Sequence, residues 1–99
     1  MLRHVVLFRW NDGTTGEQVQ AVADRLRRLP AEIPEISKYS VGRDLGLTEG
    51  AADFSVVAEF ASVEDWQAYI QHPAHLRAIE EVIAPIRESR VVVQYEMEE

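Results

Sequence analysis

The sequence predicts a single α+β domain in which four strands and two helical regions follow one another in the order βαββαβ. Three observations support this prediction. Four apolar runs rich in β-branched and aromatic residues are bounded by turn-forming residues. Two other stretches repeat apolar residues every three or four positions, and a Ser or Thr precedes each of them. The chain of 99 residues has the size of one domain, to which we assign residues 1–99.

The first half of the chain contains two predicted strands and one helix. Residues 4–10 form the first strand, which the turn sequence NDGTTG ends. Thr14 begins the sequence TTGE, whose Thr-x-x-Glu spacing predicts that Thr14 caps the helix. Pro30 is predicted to end this helix, and alternating polar and apolar residues predict a second strand at residues 36–45. The apolar face of the helix consists of Val19, Val22, Ala23, Leu26 and Leu29.

The second half of the chain contains a helical region that a proline interrupts. A third strand is predicted at residues 53–60, and Ser62 is the expected N-cap of the next helix. Pro73 removes a backbone donor and clashes with the preceding turn, so the helix must break there and continue over residues 74–83. Residues 90–96 form the last predicted strand. The order is that of a ferredoxin-like fold, with an antiparallel four-stranded sheet and two helical regions on one face.

The sheet face turned away from the helices is predicted to be partly apolar. Side chains alternate along a strand, and we place Val5, Leu7, Val57 and Val92 on this outer face. A mixed face that carries these four apolar side chains should not stay exposed to water. The natural cover is a second copy of the chain, so we expect a homodimer formed by packing sheet on sheet.

Composition limits the partners and cofactors that we expect. The formal net charge of −7 repels phosphate backbones and argues against nucleic-acid binding. No apolar run approaches the roughly 20 residues of a membrane helix, and the N-terminus is too short and charged for a signal peptide. We therefore expect a cytoplasmic protein without a membrane partner. Cysteine is absent, and His72 and His75 lack a matched carboxylate, so we expect no metal and no cofactor.

The sequence YIQHPAHLRA, residues 69–78, combines Tyr69 with two of the three histidines. The imidazole of His75 could accept a proton from a carbon next to a carbonyl group. The phenol of Tyr69 could stabilise the resulting enolate. On an unbroken helix the two would diverge by about 240°, so the break at Pro73 is what could bring them together. His72 is expected to cap the break or face solvent. The alternative interpretation is that His75 and Tyr69 are ordinary core residues.

These features together resemble the stress-responsive A/B barrel family, the Dabb domains. The resemblance covers nearly the whole chain and rests on the sequences RHVVLFRW, VGRDL, FSVVAEFASVEDWQAY and HPAH. It implies a homodimeric α+β barrel with a small-molecule pocket between the sheet and the helices. One member, olivetolic acid cyclase, closes a linear polyketide by an aldol reaction, whereas plant stress proteins of the family have no established reaction.

The resemblance also implies roles for individual residues. His75 and Tyr69 fall on the catalytic histidine and tyrosine of the cyclase. Phe54 replaces a second strand histidine, and smaller side chains replace aromatic residues on the first helix, so the pocket shape is expected to differ. We expect a cofactor-free cyclisation or isomerisation of a polyketide-like carbonyl compound, or alternatively a non-catalytic stress-response or binding protein. The residues assigned to substrate binding are His4, Val6, Val22, Ala23, Leu26, Tyr39, Phe54 and Ile79.

Overall fold

The computed structural model describes residues 1–98 and confirms the α+β, ferredoxin-like fold. Within these residues, four strands form one antiparallel sheet with the spatial order β2-β3-β1-β4: β1 (Leu2–Trp10), β2 (Lys38–Arg43), β3 (Phe54–Phe60) and β4 (Arg87–Glu96). The same residues contain four α-helical segments, the last of which continues into a π-helical turn (Ile79–Ile83): α1 (Gly16–Arg27), α2 (Leu29–Glu32), α3 (Val63–Gln71) and α4 (Pro73–Ala78).

The core lies between the sheet and the helices. The central strand β1 pairs with β3 on one side and β4 on the other, so that Val6 lies between Val56 and Val92. Alternate residues of β3 are buried beneath the helices, as predicted. The side chains of Val22 and Leu26 in α1 form the helix side of this core, and both are almost fully buried.

The outer face of β4 differs from the prediction. Val92 pairs with Val6 on the helix side, so its predicted outer position was wrong. Val91 and Val93 lie on the outer face instead, where they are 67% and 52% exposed. The run of three valines has no alternation of polarity, so the sequence did not define which of them faces outward.

The N-cap of α1 is one residue later than predicted. Thr15 Oγ1 accepts a hydrogen bond from the backbone N–H of Gln18 (3.1 Å), and Gln18 Oε1 accepts one from the backbone N–H of Thr15 (2.9 Å). The hydroxyl of Thr14 donates instead to the carbonyl of Asn11 (2.6 Å). Both threonines have an acceptor three residues later, so the spacing was ambiguous, and the turn before the helix selects Thr15.

Element ends also differ from the prediction: β1 begins at Leu2 and not at residue 4, and β2 spans Lys38–Arg43 and not residues 36–45. Pro30 does not end α1, which ends at Arg27, but lies in the first turn of α2. Proline is tolerated there because the first N–H groups of a helix have no intrahelical partner. Strand β4 begins at Arg87, three residues before its predicted start at residue 90.

Candidate functional site

The helical region that carries the candidate residues is broken between α3 and α4. His72 has extended backbone geometry (ψ 134°), because a residue before proline is pushed out of the helical region. Pro73 then takes the first position of α4. His72 Nδ1 accepts a hydrogen bond of 3.0 Å from the backbone N–H of Ala74. His72 therefore caps the break, which is one of the two positions expected for it.

The break brings Tyr69 and His75 together. Their ring centroids are 4.3 Å apart at an angle of 42°, and both side chains are buried. An unbroken helix would have separated them by about 240° around its axis. The predicted geometric consequence of Pro73 is thus confirmed, while the chemical roles of the two residues belong to the proposal below.

The tautomer of neutral His75 follows from its contact with the backbone. Its Nδ1 lies 3.1 Å from the carbonyl oxygen of Ile70, which can only accept, so Nδ1 carries the proton. Burial lowers the pKa of His75, so the ring is neutral at pH 7 and Nε2 is unprotonated. Among residues 1–98, Nε2 has no hydrogen-bond partner, yet it is not one of the fully buried unpaired atoms. It is therefore a proton acceptor that water or a small ligand can reach.

His4 has the opposite tautomer. Its Nδ1 lies 3.3 Å from Trp66 Nε1 and 2.9 Å from Gln94 Nε2, and both of these nitrogens are donors. The proton of neutral His4 is therefore on Nε2. Burial lowers the pKa of His4 to about 4, and smaller contributions come from the charge that His75 carries when it is protonated and from Arg90. His4 is neutral at pH 7, like His75, but with the other nitrogen protonated.

Two phenols share a hydrogen bond beside the histidines. The hydroxyl oxygens of Tyr39 and Tyr69 are 3.0 Å apart. Burial raises the pKa of Tyr69 to about 12, and the bond from Tyr39 partly opposes this rise. Burial and Tyr69 itself raise the pKa of Tyr39 further. Both phenols are protonated at pH 7, and Tyr69 is the more acidic of the two.

These side chains line a cleft between the sheet and the helices. Seven of the ten predicted site residues line it: His4, Val6, Leu26, Tyr39, Tyr69, His75 and Ile79. Its volume is about 50 Å³, which is room for a few water molecules. Ligand pockets for drug-sized molecules begin at roughly 300 Å³. The cleft therefore fits a compact molecule and does not fit a long polyketide.

Three predicted substrate-binding residues lie outside the cleft. Val22 and Ala23 are buried in the core one helical turn before Leu26. Leu26, near the C-terminal end of α1, is the residue of this helix that lines the cleft. The ring of Phe54 packs against Trp10, with centroids 5.7 Å apart. Phe54 pairs with Phe8 of β1, four residues along the strand from His4. This separation places Phe54 away from His4.

Six residues that the sequence analysis did not assign also line the cleft: Phe8, Val56, Ile70, Ile83, Arg87 and Arg90. The strand residues Phe8 and Val56 could have been found, since each lies two positions from another inward-facing residue. The arginines carried no such signal. Arg87 precedes the predicted start of the last strand, and Arg90 shares the face of the misassigned Val92.

The described residues give no support to two other classes of site. Within residues 1–98, no group of three or more His, Cys, Asp or Glu side chains is placed to hold a metal ion. Over the same range, the helices are all too short or too polar to cross a membrane.

A family model for the stress responsive A/B barrel domain, Dabb, matches residues 2–97. The chain belongs to this family. This match confirms the resemblance that the sequence motifs indicated, and it covers nearly the whole chain.

Solved structures of similar proteins share the fold. A dimeric ferredoxin-like protein of unknown function from Thermobifida fusca is 46% identical, with a TM-score of 0.90 over 97% of this chain and 90% of that one. A dimeric protein of unknown function from Bacteroides fragilis is 30% identical, with a TM-score of 0.86 over 97% and 95%. A hydroxynitrile lyase from Passiflora edulis is 24% identical, with a TM-score of 0.85 over 99% and 94%. At the last identity, the likeness concerns the fold alone.

Proposed function

We propose that this Dabb protein is a cofactor-free enzyme that moves a proton at a carbon next to a carbonyl group of a compact substrate. One observation carries the proposal: in a cleft, the imidazole of His75, whose Nε2 is unprotonated, packs against the ring of Tyr69, with centroids 4.3 Å apart. A base and a hydrogen-bond donor in such proximity are what enolate formation needs.

The reaction follows from the two groups. His75 Nε2 takes the proton from the carbon, and the C–H electron pair moves into the carbonyl, giving an enolate. The Tyr69 hydroxyl donates a hydrogen bond to the enolate oxygen, where the negative charge develops. If the substrate has a β,γ double bond, the intermediate is a dienolate, and the imidazolium of His75 returns the proton to the γ carbon; the double bond moves into conjugation with the carbonyl, which completes an isomerisation. In a cyclisation, the enolate carbon attacks a second carbonyl of the same molecule, and the resulting alkoxide takes the proton.

The size of the cleft favours isomerisation of a small molecule over cyclisation of a long chain. A volume of about 50 Å³ leaves no room for a polyketide tail. Val22 and Ala23, which the family resemblance assigned to the tail, lie in the core. We therefore place the substrate among compact carbonyl compounds.

The proposed enzyme is a homodimer that pairs through the outer face of the sheet. Val91, Val93 and Leu7 expose apolar surface there, and such a patch on a small domain marks an interaction site. The similar proteins from Thermobifida fusca and Bacteroides fragilis are described as dimeric, which supports this assembly.

A second candidate function is a non-catalytic stress-response or binding protein. Two observations favour it: the cleft is small, and His75 already has a backbone partner at Ile70. On this hypothesis, His75 contributes to stability and has no reaction to carry.

Deuterium exchange distinguishes the two candidates. Pyruvate and its neutral amide, pyruvamide, are incubated with the protein in D₂O, and loss of the methyl proton signal is followed by NMR. We expect the protein to accelerate exchange of at least one compound, and His75→Ala to lower this rate by roughly a hundredfold or more. The control is His72→Asn, which removes the neighbouring imidazole but keeps a good helix-capping side chain.

The second candidate predicts a different result. If the native protein gives only the background rate with both compounds and with the β-keto acid acetoacetate, while His75→Ala merely melts at a lower temperature, the enzyme proposal is wrong.

A further inference from the structure

A β-bulge in β4 places two arginines on the same face of the sheet. Arg90 pairs with Phe8, but Arg87 pairs with Trp10, so Glu88 is an extra residue in the ladder. Residues three apart on a regular strand point to opposite faces. The extra residue cancels this alternation, so Arg87 and Arg90 both lie on the helix side of the sheet.

Both arginines line the cleft beside the histidines. Burial lowers the pKa of both histidines, and the positive charge of Arg90 adds a smaller effect in the same direction. The other polar groups of the cleft are neutral at pH 7, namely the two imidazoles and the hydroxyls of Tyr39 and Tyr69. Of the described residues that line the cleft, none is acidic.

Among the residues that the structure describes, neither arginine has a carboxylate partner. The ion pairs within residues 1–98 involve the N-terminus, Arg3 and Arg25, and not Arg87 or Arg90. Most other Lys and Arg side chains in this range also have no ion pair, and what distinguishes Arg87 and Arg90 is that both line the cleft. Two guanidinium groups beside neutral polar groups form a site of positive potential that would attract an anion.

We propose that Arg87 and Arg90 bind a carboxylate, so that the ligand of the cleft is a compact oxo acid. A guanidinium matches a carboxylate through two parallel hydrogen bonds, which fixes orientation as well as position. In a short oxo acid the carbonyl lies one or two bonds from the carboxylate, so anchoring the acid group would hold the carbonyl near Tyr69 and His75. The carboxylate site rests on the arginines, and its link to catalysis rests on the function proposed above.

Binding of pyruvate and pyruvamide tests this inference, since the amide has nearly the same shape without the charge. Each compound is titrated into the full chain while the imidazole signals of His4 and His75 are followed by NMR. We expect pyruvate to bind at least tenfold more tightly than pyruvamide. Arg90→Gln and Arg87→Gln should each weaken pyruvate binding about tenfold and leave pyruvamide unchanged.

Two further variants act as controls. Arg27→Gln removes an exposed charge at the end of α1, away from the cleft, and should leave pyruvate binding unchanged. Arg90→Lys keeps the charge but not the fork of donors, and should bind pyruvate with intermediate affinity. Equal binding of pyruvate by the native protein and by both glutamine variants would overturn the inference, as would binding of inorganic phosphate with no binding of pyruvate.

Failure of this inference is distinguishable from failure of the proposed function. If the arginines bind pyruvate but its methyl protons do not exchange, the carboxylate site stands and the enzyme proposal fails. If His75-dependent exchange occurs equally in pyruvate and pyruvamide and is insensitive to both arginine variants, the enzyme proposal stands and the carboxylate site fails.

Discussion

His4 and His75 line the same cleft, but they carry the proton of the neutral imidazole on different ring nitrogens. Both lie against the same cleft, and burial favours the neutral form of each. Their partners differ in kind: a backbone carbonyl takes the Nδ1 proton of His75, whereas two N–H donors occupy Nδ1 of His4. The cleft is therefore lined by one imidazole whose Nε2 is unprotonated and by another whose proton is on Nε2.

The lowered pKa of His4 predicts how stability depends on pH. Its pKa is about 4 in the folded protein, against a usual value of 6.5, so the unfolded chain binds a proton that the folded chain does not over this range. Stability is therefore complete above pH 6.5 and falls as the pH drops toward 4. The loss from this residue is about 3 kcal/mol, at roughly 1.4 kcal/mol per pKa unit.

Urea unfolding at pH 7 and at pH 4.5, at fixed protein concentration, measures this loss. His4→Gln has no group that titrates in this range, so its free energy of unfolding should fall less than that of the native protein between the two pH values. Equal losses in the two proteins would show that His4 does not couple protonation to folding.

At the scale of elements, two irregularities build the candidate site. The break between α3 and α4 brings together Tyr69 and His75, and the bulge in β4 brings Arg87 to the face of Arg90. Regular continuation of either element would have turned one residue of each pair away. The polar lining of the cleft thus depends on interruptions of the helix and the strand.

The cap of α4 predicts a stability change that is specific to the side chain. His72 Nδ1 accepts the N–H of Ala74, so His72→Ala leaves that donor without its partner. We expect His72→Ala to lower the free energy of unfolding by about 1 kcal/mol, and His72→Asn to stay within a few tenths of the native value. Thermal or urea unfolding of the three proteins checks this. Equal destabilisation by alanine and asparagine would mean that the imidazole acts through packing and not as a cap.

The sequence predicted the regular parts of the structure better than the irregular ones. Alternation along β3 and the repeat in α1 are periodic signals, and the structure buries those residues as expected. Pro73 is itself a local signal, so the pairing of Tyr69 with His75 could also be anticipated. The bulge near residue 88 has no comparable signal in the sequence, because only the pairing with β1 reveals it. The arginines were therefore missed.

At the scale of the whole molecule, the two faces of the sheet contact different surroundings. The inner face supplies the core and the cleft, while the outer face exposes Leu7, Val91 and Val93. Because successive side chains of a strand point to opposite faces, a substitution on the outer face of β4 leaves the cleft residues of the same strand in place. The proposed dimer can therefore be tested separately from the proposed chemistry.

The proposed dimer predicts a strong effect of one charge on the outer face. In a two-fold interface each substitution occurs twice, so Val93→Glu would bury two carboxylates against an apolar surface. We expect this variant to weaken dimerisation by about 2 kcal/mol or more, roughly thirtyfold in the dissociation constant. Val63→Glu is the matched control, because Val63 is also 52% exposed but begins α3 on the other side of the sheet.

Light scattering coupled to gel filtration, over a range of protein concentrations, compares the three proteins. The native chain and Val63→Glu should elute as dimers at concentrations where Val93→Glu is a monomer. A dimer that tolerates Val93→Glu as well as Val63→Glu would have to pair through another surface. A native monomer would require the outer valines to be covered in some other way.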